Sequence, residues 1–257
     1  ALHIRYLNGW VAASDVGDRD RAEWPPHPGR VFMALAAAHF LEEENPAERE
    51  ALEWLEALDA PHIYHGGHHI RGVVTQYVPV NDKSGPAKAT LQSAPGVPRE
   101  RQPRTFARAS LDNDTAGFVW PEARPETRIA NALASICSRV SRIGHSSSLV
   151  QVWLDSEAPE NGAPPLVPNE QDAERTLRTT TPGTLAYLKD RYNGDALSAY
   201  GDLKAEETEA QTLNDQRKLR QVRKELKDRF NKQSPVSLRP EISRWQGYAR
   251  ETRETST

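Results

Sequence analysis

The sequence is poor in the residues that crosslink secreted domains and in the apolar runs that cross membranes. Its 257 residues include one cysteine, Cys137, which excludes an internal disulfide and a multi-cysteine zinc site and is typical of a reducing compartment. No apolar stretch reaches the roughly 18 residues of a transmembrane helix, and residues 1–10 alternate like a strand instead of resembling a signal peptide. We therefore predict a cytoplasmic protein that does not span a membrane.

Neither sign of charge dominates the chain. The formal net charge is −3, which argues against a wholly basic nucleic-acid binder but leaves room for a local basic surface. Only 37% of the residues are apolar and 27% are charged, so long surface loops or arms are expected. The length allows one large domain or two small ones.

Sequence motifs of catalysis are also missing. There is no GxSxG, HExxH or nucleotide-binding glycine loop, and we predict no catalytic residue, no cofactor and no metal. The nearest candidate for a metal site is HIYHGGHH at 62–69, which has no cysteine or carboxylate to complete a zinc shell. The alternative is a polar loop whose imidazoles face water or RNA.

The stretch EWPPHPGRVFMALAAAHFL at 23–41 organises the N-terminal part of the chain. Three prolines predict an extended, stiff approach, and helical periodicity begins near Gly29 and ends near Glu44. Arg30 falls in the first turn, where the helix dipole disfavours a cation. We therefore expect Arg30 to have a partner, either the carboxylate of Glu23 or a phosphate.

Periodicity predicts the remaining elements. Strands are expected over 2–11, 70–80, 115–120 and 149–154, and helices over 47–58, 129–143, 185–192 and 205–232. Gly144 is expected to end the helix over 129–143 as its C′ residue. Residues 169–178 are predicted to be a short helix or irregular, and 234–248 to pack back on the domain.

Residues 81–110 have almost no apolar periodicity but carry an excess of cations. Asp82 and Glu100 are the acids in this segment near its six basic residues, Lys83, Lys88, Arg99, Arg101, Arg104 and Arg108. Together with Phe106 these cations have the chemistry of a backbone clamp with a stacking face. The alternative is a disordered linker whose charges are merely solvated.

A turn rich in glycine and serine, GHSSS at 144–148, lies between a predicted helix and a predicted strand. Such a turn can donate several hydrogen bonds to a phosphate, or it can close a turn and nothing more. A further basic run at 217–229 is most simply the solvated face of a helix.

The ordered set EWPPHPGRVFMAL, ALEWLEAL, YVPVND, RQPRTF, VW, GHSSSLV and PVSLRPEISRWQGYA resembles one known family across almost the whole chain. It is similar to the CRISPR-associated subunit of type I-G (formerly I-U) systems, in which a Cas-five-like part is fused to a Cas-six-like part. The resemblance implies an α+β, ferredoxin-like (RRM-related) RAMP domain over 1–156. A long basic thumb arm at 77–110 and a helical C-terminal extension over 157–257 complete the expected architecture.

The resemblance also implies a function. Such a subunit holds the 5′ repeat handle of the CRISPR RNA and caps the Cascade filament. Its expected partners are CRISPR RNA, the Cascade backbone and large subunits and, indirectly, target DNA. The residues carried over as RNA-binding are Trp24, His27, Arg30, Lys83, Lys88, Arg99, Arg101, Arg104, Phe106, Arg108, Arg142, His145, Ser146 and Ser147.

One departure from the family separates three hypotheses. The chain stops where a Cas-six-like half should begin, so RNA processing is not carried over. We expect either the first half alone or a chain whose remainder is not present. A metal-independent endoribonuclease that uses His27 or His145 is the first alternative. A subunit whose basic segments bind neighbouring proteins is the second.

Overall fold

A computed structural model of the chain describes residues 1–15, 17–42, 45–73, 75–79, 101–160, 163–191, 194–230 and 243–251. The strands are β1 Leu2–Tyr6, β2 Trp10–Ala12, β3 His62–His65, β4 His68–Arg71, β5 Thr75–Pro79, β6 Arg101–Thr105, β7 Arg108–Leu111, β8 Thr115–Val119, β9 Val150–Leu154, β10 Leu166–Pro168, β11 Arg175–Thr179 and β12 Arg244–Arg250. The helices are α1 Pro28–Phe40, α2 Pro46–Glu56, α3 Thr127–Arg139, α4 Thr184–Arg191, α5 Gly194–Thr212 and α6 Gln216–Phe230. The predicted α+β class is confirmed.

The chain divides into two compact units. The sheet unit comprises Ala1–Thr179 and Trp245–Thr257, and the helical unit comprises Thr180–Arg244. β10, β11 and β12 all belong to the main sheet, so the sheet unit extends beyond the predicted limit at residue 156.

The main sheet has seven strands in the order β11-β12-β10-β3-β8-β1-β9. β1 pairs antiparallel with both β8 and β9, and β3 pairs antiparallel with β8. One face of β1 is apolar and fully buried, with Ile4 and Tyr6 both 0% exposed. α3 packs against β9 and α1 against β11. In chain order, β1, the pair α1 and α2, β3, β8, α3 and β9 follow a β-α-β-β-α-β plan.

The central strands continue beyond the main sheet as a long, interrupted hairpin. A second sheet, β2-β7-β4, repeats the order β1-β8-β3, and the pair β5-β6 extends it further. Gly66, between β3 and β4, allows a close approach to the segment between β7 and β8, since a Cβ at Gly66 would lie 2.7 Å from Cβ of Asn113. The loop predicted for HIYHGGHH is therefore wrong: this segment forms two strands joined by the glycine pair.

Two other predictions for the sheet unit are wrong. The helix expected over 129–143 ends at Arg139, and Gly144 lies in the following turn with φ of +90°. A Cβ there would be 2.7 Å from the carbonyl oxygen of Ala12, which explains the glycine. Residues 175–179 form β11 instead of a helix or irregular segment. The sequence of β11, RTLRT, has one apolar residue, so its strand character depends on its neighbours in the sheet.

The helical unit contains a helix break that the sequence pattern does not predict. The predicted helix over 205–232 is two helices, α5 and α6, separated by Asn214 in the left-handed region with φ of 54°. The carboxylate of Asp215 accepts hydrogen bonds from the main-chain N–H groups of Arg217 and Lys218 and so caps α6. Leu219, Val222 and Leu226 form a buried stripe on α6.

Candidate nucleic-acid interface

The predicted partner of Arg30 is Glu23. Glu23 is 1% exposed, and its two carboxylate oxygens accept from Arg30 Nε at 2.6 Å and Nη2 at 2.7 Å. The main-chain N–H of His27 also donates to Glu23, at 3.2 Å. Burial opposes the charge of Arg30, but the hydrogen bonds and the charge of Glu23 outweigh it and raise the pKa of the guanidinium. The carboxylate of Glu23 therefore supplies the partner that the position of Arg30 predicts.

Trp24 and His27 both face the protein interior. Trp24 is 5% exposed, donates from Nε1 to the carbonyl oxygen of Gly66 and packs edge-on against Tyr6. His27 is also 5% exposed, and its Nδ1 accepts from the main-chain N–H of Arg178 at 3.3 Å. Burial lowers the pKa of His27, so its ring is neutral near pH 7. In this conformation, neither ring offers a free face to a nucleic acid.

The β5-β6 pair forms the described part of the predicted arm. Tyr77 and Val78 on β5 are 48% and 40% exposed, and Arg104 on β6 is exposed. Arg101 begins β6 opposite Pro79. Lys83, Lys88 and Arg99 lie outside the described residues. The described strands therefore present basic and aromatic side chains to solvent.

The base of this arm contacts the glycine- and serine-rich turn. The rings of Phe106 and His145 meet edge-to-face, with centroids 4.7 Å apart. Two residues further along, the guanidinium of Arg108 lies 4.8 Å from the centroid of the Trp10 ring. Two segments that the sequence suggested separately for RNA binding therefore lie side by side.

The turn itself is anchored to β2 through Ala12. Ser148, 0% exposed, accepts from the Ala12 N–H at 2.6 Å and donates to the Ala12 carbonyl oxygen at 3.1 Å, and the N–H of His145 donates to the same oxygen. His145 Nδ1 accepts from the N–H of Ser147, so the neutral ring carries its proton on Nε2. Ser146 is exposed, and Ser147 is half-buried. The turn is thus both a structural support and a source of donors.

A cleft of about 250 Å³ lies between α1 and residues 139–144. Arg30, Arg139 and Arg142 line it, but Arg30 and Arg139 are already paired with Glu23 and Glu48. Arg142 is exposed, and its guanidinium has no ion pair with any side chain in the described part of the chain. Among these three arginines, Arg142 is therefore the one available to an anion.

The face of the sheet opposite the helices is partly covered. A Cβ at Gly117, in the middle of β8, would lie 2.3 Å from Cγ of Pro159. His3 reaches the carbonyl oxygen of Glu157 at 2.9 Å and stacks on Trp153. RRM domains stack bases on this face of their sheet. Because Pro159 occupies its centre here, the arm and the turn are the better candidate for an interface.

The structure also brings together cations that sequence analysis missed. Arg21, His68, Arg175 and Arg250 come from four separate segments and influence one another electrostatically. No local motif announces this set, since its members are up to 229 positions apart in the chain.

The described ranges contain neither a metal-binding cluster nor a membrane-spanning helix. No group of three or more histidine, cysteine or carboxylate side chains there is placed to hold a metal ion. His65 of the histidine segment is buried, and His69 pairs with Asp112 at 3.0 Å. Cys137 is 1% exposed, and burial raises its pKa to about 12. Among the described helices, none has the length and apolar character needed to cross a bilayer.

Comparison with known proteins gives one informative match. A search of the curated proteins finds no relative of this chain. Residues 3–225, by contrast, match the family described as CRISPR-associated protein, GSU0054 family. Since that match covers most of the chain, the protein belongs to the GSU0054 family of CRISPR-associated proteins.

Proposed function

We propose that this protein is the guide-RNA-holding subunit of a type I-G Cascade effector, the Cas-five-like part of the fusion family. It binds the 5′ repeat handle of the CRISPR RNA and caps the backbone filament in the cytoplasm. The observation that carries the proposal is the contact between Phe106 and His145, which joins the basic arm to the turn. Membership of a CRISPR-associated family supports a role in a CRISPR system.

The strand order supports a ferredoxin-like RAMP fold for the sheet unit. Within the seven strands, β9-β1-β8-β3 are adjacent and antiparallel. Numbered as the four strands of a β-α-β-β-α-β unit, they read 4-1-3-2, the order of the ferredoxin-like plan. The arm then corresponds to an extended hairpin between the second and third strands.

The chemistry of the exposed residues suits single-stranded RNA. Arg104, Arg108 and Arg142 provide planar donors that match phosphate oxygens, and Phe106 and Tyr77 provide aromatic faces. Stacking of a base on an aromatic ring contributes roughly 1–3 kcal/mol. Phosphate contacts should make the affinity depend on salt concentration. Trp24 and His27 are buried and Arg30 is paired with Glu23, so we do not include them in the proposed RNA-binding surface.

A titration of repeat RNA against salt tests the proposal. The arm variant carries Arg99→Ala, Arg101→Ala and Arg104→Ala, and the control carries Arg217→Ala, Arg220→Ala and Lys224→Ala on exposed positions of α6. We expect the arm variant to bind less tightly and to reduce the slope of log K against log[salt] by about 1 for each lost phosphate contact. The control has the same net charge and should bind like the wild type. Equal behaviour of the two variants would refute the arm assignment.

The same RNA, incubated with stoichiometric protein and EDTA, separates binding from cleavage. His27 is buried, and we expect the RNA to remain intact. Products ending in a 2′,3′-cyclic phosphate would instead identify a metal-independent endoribonuclease. Assembly with the backbone and large subunits in the absence of RNA would favour a protein-interaction role.

A further inference from the structure

The basic side chains of α6 divide into a set that carboxylates neutralise and a set that they do not. The neutralised set pairs with glutamates: Lys218 with Glu209, Arg223 with Glu207 and Arg229 with Glu225. The other set is exposed, and in the described part of the chain none of its members has a carboxylate within ion-pair distance. We call this second set the α6 stripe, which consists of Arg217, Arg220, Lys224 and Lys227.

The α6 stripe runs along one side of the helix. Its members follow one another at intervals of three, four and three positions, so they form a row about 15 Å long. The buried residues Leu219, Val222 and Leu226 lie about 150° away around the helix axis. Leu203 and Tyr200 of α5 belong to the cluster on this buried side. The stripe therefore faces away from α5 and towards solvent.

The stripe keeps its charge because the nearby acids are engaged elsewhere or lie too far away. Glu207 of α5 binds both Lys204 and Arg223. Asp228 borders the stripe, but it is not within ion-pair distance of any stripe cation. Like charges three or four positions apart repel one another on a helix, whereas a solvated helix face typically alternates in sign. Because the whole chain carries a net charge of −3, this row of one sign does not reflect a generally basic composition.

The composition of the stripe favours a nucleic-acid duplex over a single strand. Proteins that bind single strands combine cations with aromatic rings on which the bases stack. Neither the stripe nor its bordering residues Gln221 and Asp228 are aromatic, whereas the arm has Tyr77 and Phe106. A 15 Å length of B-DNA carries about nine phosphates, enough for one at each stripe cation. An α-helix also fits the major groove of B-DNA, about 12 Å wide, but not the deep, narrow major groove of A-form RNA.

We propose that the α6 stripe binds the phosphate backbone of double-stranded DNA. Each stripe cation contacts a phosphate and displaces its counterions, so the binding depends on salt and not on base sequence. Duplex binding goes beyond the handle binding proposed above and is independent of it. The stripe belongs to the helical unit, whereas the arm belongs to the sheet unit.

Anisotropy of a labelled DNA duplex of about 20 base pairs and arbitrary sequence, titrated between about 50 and 200 mM potassium chloride, tests the stripe. The stripe variant carries Arg217→Ala, Arg220→Ala and Lys224→Ala. The paired-cation variant, its matched control on the same helix, carries Lys218→Ala, Arg223→Ala and Arg229→Ala and has the same net charge. Circular dichroism checks that both variants are folded.

We expect the stripe variant to reduce the slope of log K against log[salt] by about 0.9 for each lost phosphate contact, about 3 in all. Its affinity for the duplex at the lowest salt concentration should fall at least about tenfold. The paired-cation variant should keep the slope and the affinity of the wild type. Equal losses in the two variants would show that net charge alone acts, and a wild type that does not bind the duplex would refute the proposal directly.

The single-stranded repeat handle provides the reciprocal control. The arm variant should lose handle affinity and keep duplex affinity, and the stripe variant should do the opposite. A stripe variant that loses handle affinity but keeps duplex affinity would assign the stripe to RNA. One that keeps both affinities but no longer assembles with the Cascade backbone would assign it to a protein partner. Either result overturns duplex binding.

The two ligands also separate this inference from the proposed function. A wild-type protein that binds the duplex through the stripe but does not bind the handle would refute the function and support the inference. A wild-type protein that binds the handle through the arm and does not bind the duplex would do the reverse.

Discussion

Two buried glutamates, Glu23 and Glu48, build similar centres from very different parts of the chain. Each carboxylate holds an arginine and lies beside a histidine. Glu23 takes both partners from its own segment, Arg30 seven residues later and His27 four residues later. The Glu23 centre is therefore local, and it fastens the proline-rich approach to the start of α1.

Glu48, which lies in α2, takes its partners from two other helices. Nη2 of Arg139 in α3 lies 2.7 Å from both of its oxygens, His39 in α1 contacts it at 3.1 Å, and Ser135 in α3 donates at 3.2 Å. This centre fastens α1, α2 and α3 to one another. The comparison shows that one chemical arrangement can close a local turn or join distant elements.

The largest expected effect is that of Arg30→Ala. Glu23 is 1% exposed and would keep only the N–H of His27 as a strong donor, so the variant leaves an almost unpaired buried charge. We expect a loss of about 3–5 kcal/mol in the free energy of unfolding. Denaturant unfolding with an unchanged m-value measures it. Arg5→Ala, which breaks an exposed pair with Asp114, is the control and should lose about 0–1 kcal/mol. Similar losses for both variants would show that Glu23 is not an electrostatic centre.

Arg139→Ala should have a smaller effect. Glu48 would retain the contacts with His39 and Ser135, so its carboxylate would stay partly compensated. We expect a loss of about 1–3 kcal/mol, measured in the same unfolding experiment. If Arg139→Ala destabilises the protein more than Arg30→Ala, the joining of three helices matters more than the number of remaining donors.

The Glu48 centre should also affect how the free energy of unfolding changes at acid pH. Burial opposes ionisation, but hydrogen bonds from Arg139 and His39 outweigh it and hold the pKa of Glu48 below its ordinary value. Its contribution is therefore complete above the unfolded pKa of about 4.3 and declines as the pH falls below that value. The difference in unfolding free energy between wild type and Glu48→Gln should narrow as the pH falls from 5 to 3. A constant difference would contradict the lowered pKa.

The smallest effect is expected for Arg30→Lys in RNA binding. Lysine keeps the charge but loses the paired donors that fit Glu23. Because the guanidinium is engaged with Glu23, the affinity for repeat RNA should change by less than about twofold. Anisotropy at a temperature where the variant is fully folded measures this. A loss of RNA affinity as large as that of the arm variant would show that Arg30 belongs to the RNA-binding surface.

Much of the fold could be read from periodicity. The stripe of Ile129, Leu133 and Ile136 correctly predicted α3, and alternation correctly predicted β1 and β9. β11 was missed because RTLRT has no apolar alternation, and its strand form depends on hydrogen bonds from β12. Sequence patterning does not predict the helix break at Asn214, because polar and charged residues dominate both sides of the break and no glycine or proline marks it.

The candidate site could be predicted only in pieces. The arm residues and the GHSSS turn each have a local composition that suggests phosphate contacts, but their meeting at Phe106 and His145 depends on the pairing of β2 with β7. The family resemblance implies that Trp24 and His27 contact RNA. The fold buries both rings, and sequence alone does not report which side of a segment faces the core.

The sequence by itself determined the local features of this protein: the helix after the prolines, the need of Arg30 for an anion, and the basic character of the arm. These features depend on backbone stereochemistry, helix electrostatics and composition within a few residues. Tertiary structure alone decided that Glu48 joins three helices and that the arm meets the GHSSS turn at Phe106 and His145. Such contacts depend on strand order and register, which are set by packing across the whole sheet.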